Sequence, residues 1–236
     1  MAAVKSPESL LLLLAAAAAA LAAPLRRGLR RFMAELSLPW AAIALGGLFP
    51  LAYPTVTAPT LHNGVRHFLF IFPPLCILAA GGWLWLLDRF SGESPHRIGR
   101  IVRLLIPGLL LLQALQLASM HPYQYVYYNA LVGGPSGSYG RYETEYWFTS
   151  TRHGLEWLER NVEVGTTEEP TQIFITGPWQ VAEPFLSAGM VLTSDLKTAD
   201  YLLVNTQMLM DQRLKGEDIH VIERLGLPIL YIRTPD

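Results

Sequence analysis

Four apolar blocks fill the first half of the chain, at residues 9–25, 39–54, 65–87 and 101–120. A helix needs about 20 apolar residues to cross a bilayer. A hydrocarbon interior satisfies no backbone N–H or C=O, so blocks of this kind fold as helices. The 39–54 block is the shortest and is bounded by prolines. The first block, an alanine-leucine run after Lys5, also has the outline of a secretory signal peptide. Glu8 offsets Lys5, however, and RRGLRR follows the block at once, which favours a retained helix over a cleaved signal.

The arginines orient these blocks. Arg26, Arg27, Arg30 and Arg31 follow block one, and Arg89, Arg97, Arg100 and Arg103 cluster where block three gives way to block four. The connection between blocks two and three, TVTAPTLHNGV, has no Lys or Arg. Because basic loops stay in the cytoplasm, the amino terminus, residues 55–64 and everything after Met120 are expected to face outward. The single cysteine, Cys76, excludes a disulfide framework. A net charge of −1 gives no reason to expect a nucleic-acid partner.

Only 16% of the residues are charged, against about a quarter in soluble domains, but the deficit belongs to the first 120 residues. Beyond them QIFIT, YLLVN and PILYIRT have strand length and composition. TSTRHGLEWLERNV has helical spacing, with Leu155 and Leu158 on one face beside Trp157. The expected fold is therefore an α-helical membrane bundle of about four transmembrane helices, followed by a small extracytoplasmic α/β domain. Its parts are a transmembrane region at 1–120, an interfacial junction at 121–149 and the α/β domain at 150–236.

Three stretches offer chemistry. In NGVRHFLFIFPP, Arg66 and His67 open block three at its outward end. A helix start presents unpaired N–H groups and a partial positive charge, so a guanidinium added there makes a seat for a lipid phosphate. The plainer reading is an arginine that snorkels to the interface. Pro73 and Pro74, about two turns on, would bend the helix. In HPYQYVYYN, His121, Tyr123, Tyr125 and Asn129 suit a sugar, with aromatic faces for C–H surface and an amide for hydroxyls. Tyrosines are equally at home as an interfacial belt. In GRYETEYWFTS, Arg141, Glu143, Glu145 and Trp147 alternate and would share one face of an extended segment, able to contact a glycan or to stand as a solvated strand. GGPSGSYG lacks the lysine of a phosphate loop, there is no G-x-S-x-G elbow, and His62 with His67 is a poor metal pair. No motif announces a cofactor.

Taken in order, NGVRHFLFIFPPL, HPYQYVYYNALVGG, GRYETEYWFTSTRHGLEWL, ADYLLVNT and GLPILYI resemble the carboxy-terminal half of GT-C superfamily membrane glycosyltransferases, of the protein O-mannosyltransferase and aminoarabinose-transferase-like group. The resemblance covers roughly residues 61–232. It implies an inverting enzyme of the plasma (inner) membrane that moves a sugar from a polyprenyl-phosphate donor, without a nucleotide sugar, to an acceptor on the outer face. Arg66 and His67 would then hold the donor phosphate, and His62 and Asn63 would join the sugar or acceptor contacts. The catalytic residue it implies, an aspartate in the first long outer loop, is absent. The chain is thus expected to be a fragment, a split subunit paired with an amino-terminal half on a separate chain, or an inactive copy. It departs from the family pattern where Glu145 replaces an Asp, Phe148 replaces a Gly, and Thr151, Arg152 and His153 replace a Tyr-Arg-Glu-like ending. The competing class is a non-enzymatic, membrane-anchored protein whose α/β domain binds a partner.

Overall fold

Helix α1 (Glu8–Arg26) is built from the leucine-alanine run, and α2 covers Leu38–Thr57. A six-residue 3-10 turn, Arg66–Ile71, runs directly into α3 (Phe72–Phe90), and α4 covers Arg97–Ser119. These assignments come from a computed structural model, which describes residues 2–26, 37–58, 66–90 and 97–236. The chain divides into two compact units, Met1–Gln116 and Leu117–Asp236.

Among the described residues three helices are long and apolar enough to cross a membrane: Leu38–Thr57, Arg66–Phe90 and Gly99–Ser119. The first expected crossing is also helical, but its apolar part, Glu8–Ala22, is shorter. Pro39 stands in the first turn of α2, as a bounding proline should, but Pro54 does not end the helix: it and Pro50 lie inside. Proline leaves a carbonyl one turn back without its N–H partner. Near the end of the helix the Thr55 and Thr57 hydroxyls donate back to the Ala52 and Tyr53 carbonyls, at 2.6 and 2.9 Å. Pro73 and Pro74 sit in the first turn of α3, where a missing N–H breaks no intrahelical bond, so they mark a change from 3-10 to α rather than a mid-helix bend.

Small residues set the packing of the first unit. A Cβ on Gly82 would lie 2.2 Å from the Leu13 carbonyl oxygen and 2.7 Å from the Ala17 nitrogen, so α1 and α3 meet backbone to backbone. Membrane helices associate by such close approach, since lipid already solvates apolar side chains. Gly81 leaves room for the Trp40 ring from α2. Leu10, Leu13, Ala79 and Ile106 form the buried core. A polar clamp joins the first turn of α1 to α4: Ser9 Oγ donates to Gln113 Oε1 at 2.7 Å, and Gln113 Nε2 donates to Glu8 Oε2 at 3.0 Å.

The second unit is a five-stranded sheet of β1 (Thr171–Ile175), β2 (Met190–Leu192), β3 (Tyr201–Asn205), β4 (Glu217–Arg224) and β5 (Leu227–Thr234), in the order β2-β1-β3-β5-β4. β1 pairs in parallel with β2 and β3, while β5 runs antiparallel to β3 and β4. The β4–β5 hairpin turns on Leu225 and Gly226, both at positive φ, the two-residue geometry that matches strand twist. Helix α5 (Ser150–Asn161) presses Leu155 and Leu158 onto one face of the sheet. It comes close because Gly154 has no Cβ, which would lie 2.6 Å from Leu230 Cδ2. The opposite face packs Ala199, Leu202 and Val204 against Met210 and Leu214.

The 121–149 stretch, expected as a separate junction, is built into this core. Tyr123, Val126, Tyr127 and Tyr128 are buried in it or beside it. They lie in and around short 3-10 turns (Gln124–Val126 and Ala130–Val132) rather than in a strand, so alternate tyrosines do not share an exposed face. Burial requires each phenol to find a partner. Tyr128 donates to the Glu143 carbonyl at 2.6 Å, and Tyr123 meets His153 Nδ1 at 2.5 Å.

Candidate functional site

Arg66 and His67 occupy the first two positions of the 25-residue segment Arg66–Phe90, and both side chains are exposed. The sequence therefore delivers a guanidinium to the amino-terminal end of this apolar helix, where backbone N–H groups lack intrahelical acceptors. His62 and Asn63 lie outside the described residues.

In the second unit, the expected common face of Arg141, Glu143, Glu145 and Trp147 is not formed. The segment is irregular, so side chains do not alternate as they would on a strand. Arg141 is exposed, Glu143 half-buried, Glu145 fully buried and Trp147 49% exposed. What the fold does bring together is Arg141, Tyr142 and Glu143 with Thr206, Met208 and Leu209, around an open cavity of 240 Å³. The cavity lies beyond the carboxyl end of β3, and β1 pairs with β2 on one side and β3 on the other.

Backbone strain gathers at this same edge. Met208 and Leu209 are consecutive left-handed residues at φ 51° and 57°, and Phe148 stands at φ 56°. The Phe148 ring lies on Gly177, just past β1, where a Cβ would come within 2.6 Å of Cδ1. Left-handed backbone costs a residue with a Cβ about 1–2 kcal/mol. Met208 is 67% exposed and has little packing to lose. Met208→Gly is therefore expected to raise stability by about 0.5–1 kcal/mol after the entropy of a new glycine is counted, read as a higher unfolding midpoint.

Behind this edge lies Glu145. The Tyr125 hydroxyl donates to Oε2, and the same oxygen of Tyr125 is 2.7 Å from Thr149 Oγ1. The Phe148 and Thr149 N–H groups and the Ser150 hydroxyl lie on its side and favour the charged form. Burial outweighs them and pushes the carboxyl above its ordinary range. Oε1 of Glu145 and Oγ of Ser150 are both buried without a well-formed hydrogen bond. Asn129, a candidate for sugar hydroxyls, is fully buried and caps a turn through the Leu131 N–H at 3.2 Å. His121 remains exposed, with Nδ1 3.0 Å from Gln124 Nε2.

Sequence reasoning passed over a second cavity. A cleft of about 390 Å³ opens between α5 and the edge strand β4, lined by Tyr123, His153, Trp157, His220 and Arg224 among others. The signal was present in the spacing: His153, Glu156, Trp157 and Arg160 fall at i, i+3, i+4 and i+7, one face of α5. Among the described residues no group of three or more His, Cys, Asp or Glu side chains could hold a metal. No protein-family model, no curated protein and no solved structure matches the chain significantly.

Proposed function

We propose that this chain is the carboxy-terminal portion of an integral membrane glycosyltransferase, which moves a sugar from a polyprenyl-phosphate donor to an acceptor on the outer face of the membrane. The observation that carries the reading is the exposed Arg66 at the start of the apolar segment Arg66–Phe90. There a fixed cation and helix N–H groups favour the same phosphate. Arg141 and Glu143, around the cavity beyond β3, would meet the acceptor. The catalytic carboxylate comes from outside this chain in this reading.

The topology that goes with it has four crossings, with the α/β unit extracytoplasmic. Two facts support it. The amino end of α1 is hydrogen bonded to Gln113, near the carboxyl end of α4, as alternating crossings require. Arg26, Arg89, Arg97 and Arg100 stand at the other ends of these helices, as basic residues do on the cytoplasmic side.

Charge-assisted hydrogen bonds are each worth about 1.5–3 kcal/mol. Arg66→Ala is therefore expected to weaken binding of a polyprenyl-phosphate analogue by about tenfold or more. Arg66→Lys, which keeps the charge and loses the fork, should weaken it less. Equal binding by both variants and the wild type removes Arg66 from the site. Reporters fused after Asn129 and after Ser94 should read as extracytoplasmic and cytoplasmic respectively.

A further inference from the structure

The cleft between α5 and β4 is built around an arginine whose charge the described residues do not neutralise. Arg224 is half-buried, with Nε donating to the His121 carbonyl at 3.3 Å and Nη1 to the Glu223 carbonyl at 2.8 Å. Its guanidinium carbon stands 5.3 Å from the centre of the Tyr123 ring. Among the described residues the second unit's ion pairs are Arg152–Glu156, Arg160–Glu156 and Arg233–Asp218, so Arg224 belongs to none. Two neutral carbonyls and a ring face hold it in place, and a guanidinium has five N–H groups, so donors remain for a ligand. Two carboxylates also line the cleft: Glu156 is engaged by Arg152 at 2.7 Å and Arg160 at 3.7 Å, and Glu223 is exposed to solvent, which screens its charge.

Two histidines complete the wall. Burial keeps the Tyr123 hydroxyl protonated, and burial likewise lowers the pKa of His153, favouring a neutral ring. The Tyr123 hydroxyl and His153 Nδ1 share a hydrogen bond at 2.5 Å, which fixes the ring in the wall and leaves Nε2 as its second polar atom. His220 on β4 stacks on Trp157 with ring centres 4.6 Å apart and planes within 8°, which fixes its plane at the cleft wall. A guanidinium held in place beside two imidazole rings is an arrangement for oxygen acceptors bearing negative charge.

We propose that this cleft binds an oxyanion, a phosphate or a carboxylate carried on a saccharide or a lipid headgroup, with Arg224 as its principal contact and His153 and His220 beside it. The inference stands apart from the transferase reading, because the cleft lies wholly within the α/β unit and its test needs no sugar donor.

The test is calorimetric titration of the full chain in phosphatidylcholine nanodiscs with inorganic phosphate and with glucuronate, glucose serving as the neutral control. Phosphate or glucuronate should bind and glucose should not. Arg224→Gln should weaken binding about tenfold or more, Arg224→Lys less, and Arg213→Gln, on an exposed residue away from the cleft, not at all. Thermal unfolding guards against a folding artefact: the anion should raise the midpoint of the wild type and not that of Arg224→Gln. In discs containing phosphatidylglycerol, loss of phosphate binding assigns the oxyanion to a lipid headgroup, and unchanged binding assigns it to a soluble ligand. Absence of binding by the wild type, or binding by Arg224→Gln equal to it, overturns the proposal.

Discussion

Glu145→Ala is expected to destabilise the α/β unit by about 2–4 kcal/mol, whereas Glu145→Gln should hold or raise its stability at neutral pH. The alanine variant removes the carboxylate partner of the Tyr125 hydroxyl, which keeps Thr149, and leaves a void in a fully buried position. The glutamine variant keeps an oxygen for Tyr125 and turns an amide toward the Ser150 hydroxyl. The pH dependence separates the two cases. A carboxyl whose folded pKa is raised binds its proton more tightly in the folded state than in the unfolded one. Its contribution to stability is therefore full below the ordinary value of 4.5 and is lost as pH rises through the folded value. Unfolding midpoints between about pH 4.5 and 8 should fall for the wild type and stay flatter for Glu145→Gln. Parallel slopes, or a Glu145→Ala midpoint equal to the wild type, would show that this carboxyl carries no buried charge penalty.

The second large effect is expected in the first unit. Gly82→Leu should cost about 3 kcal/mol or more and release α1 from α3, because the atoms in the way are backbone and cannot turn aside. Separation of the two helices would also pull Ser9 and Glu8 from Gln113. Gly81→Ala is the contrasting change. Its Cβ would lie 3.0 Å from the edge of the Trp40 ring, a side chain that can shift, so a cost below about 1 kcal/mol is expected. The SDS fraction at half-unfolding reads both, and equal values for the two variants would refute backbone contact between α1 and α3.

Local pattern explains which elements were legible in the sequence. Long apolar runs gave the membrane-type helices, and compact runs rich in β-branched residues gave β1, β3 and β5. EDIHVIER hid β4, since an edge strand with one covered face spends its other positions on charge. β2 has three residues, too few for any period. The tyrosines of 123–128 misled because their partners stand 15 to 30 residues away: Glu143, Glu145 and His153. Once those contacts form, the rings belong to the core. The cleft went unseen for the same reason, being made by α5 and a strand more than fifty residues later. Phe148 is another case. A side chain of this size argues against a positive φ, yet the backbone at Phe148 is left-handed at φ 56°.

The outer strands of the sheet decide how this unit behaves in a crowd. β2 offers a ladder only three residues long, and β4 is broken by register shifts between Asp218 and His220 and again between Ile222 and Glu223. Interrupted or abbreviated margins make poor templates for another chain. Any protein that docks here must therefore engage side chains and cavities, because recruitment by strand addition is closed to it, and copies held side by side in one membrane gain protection against fusing into a continuous sheet.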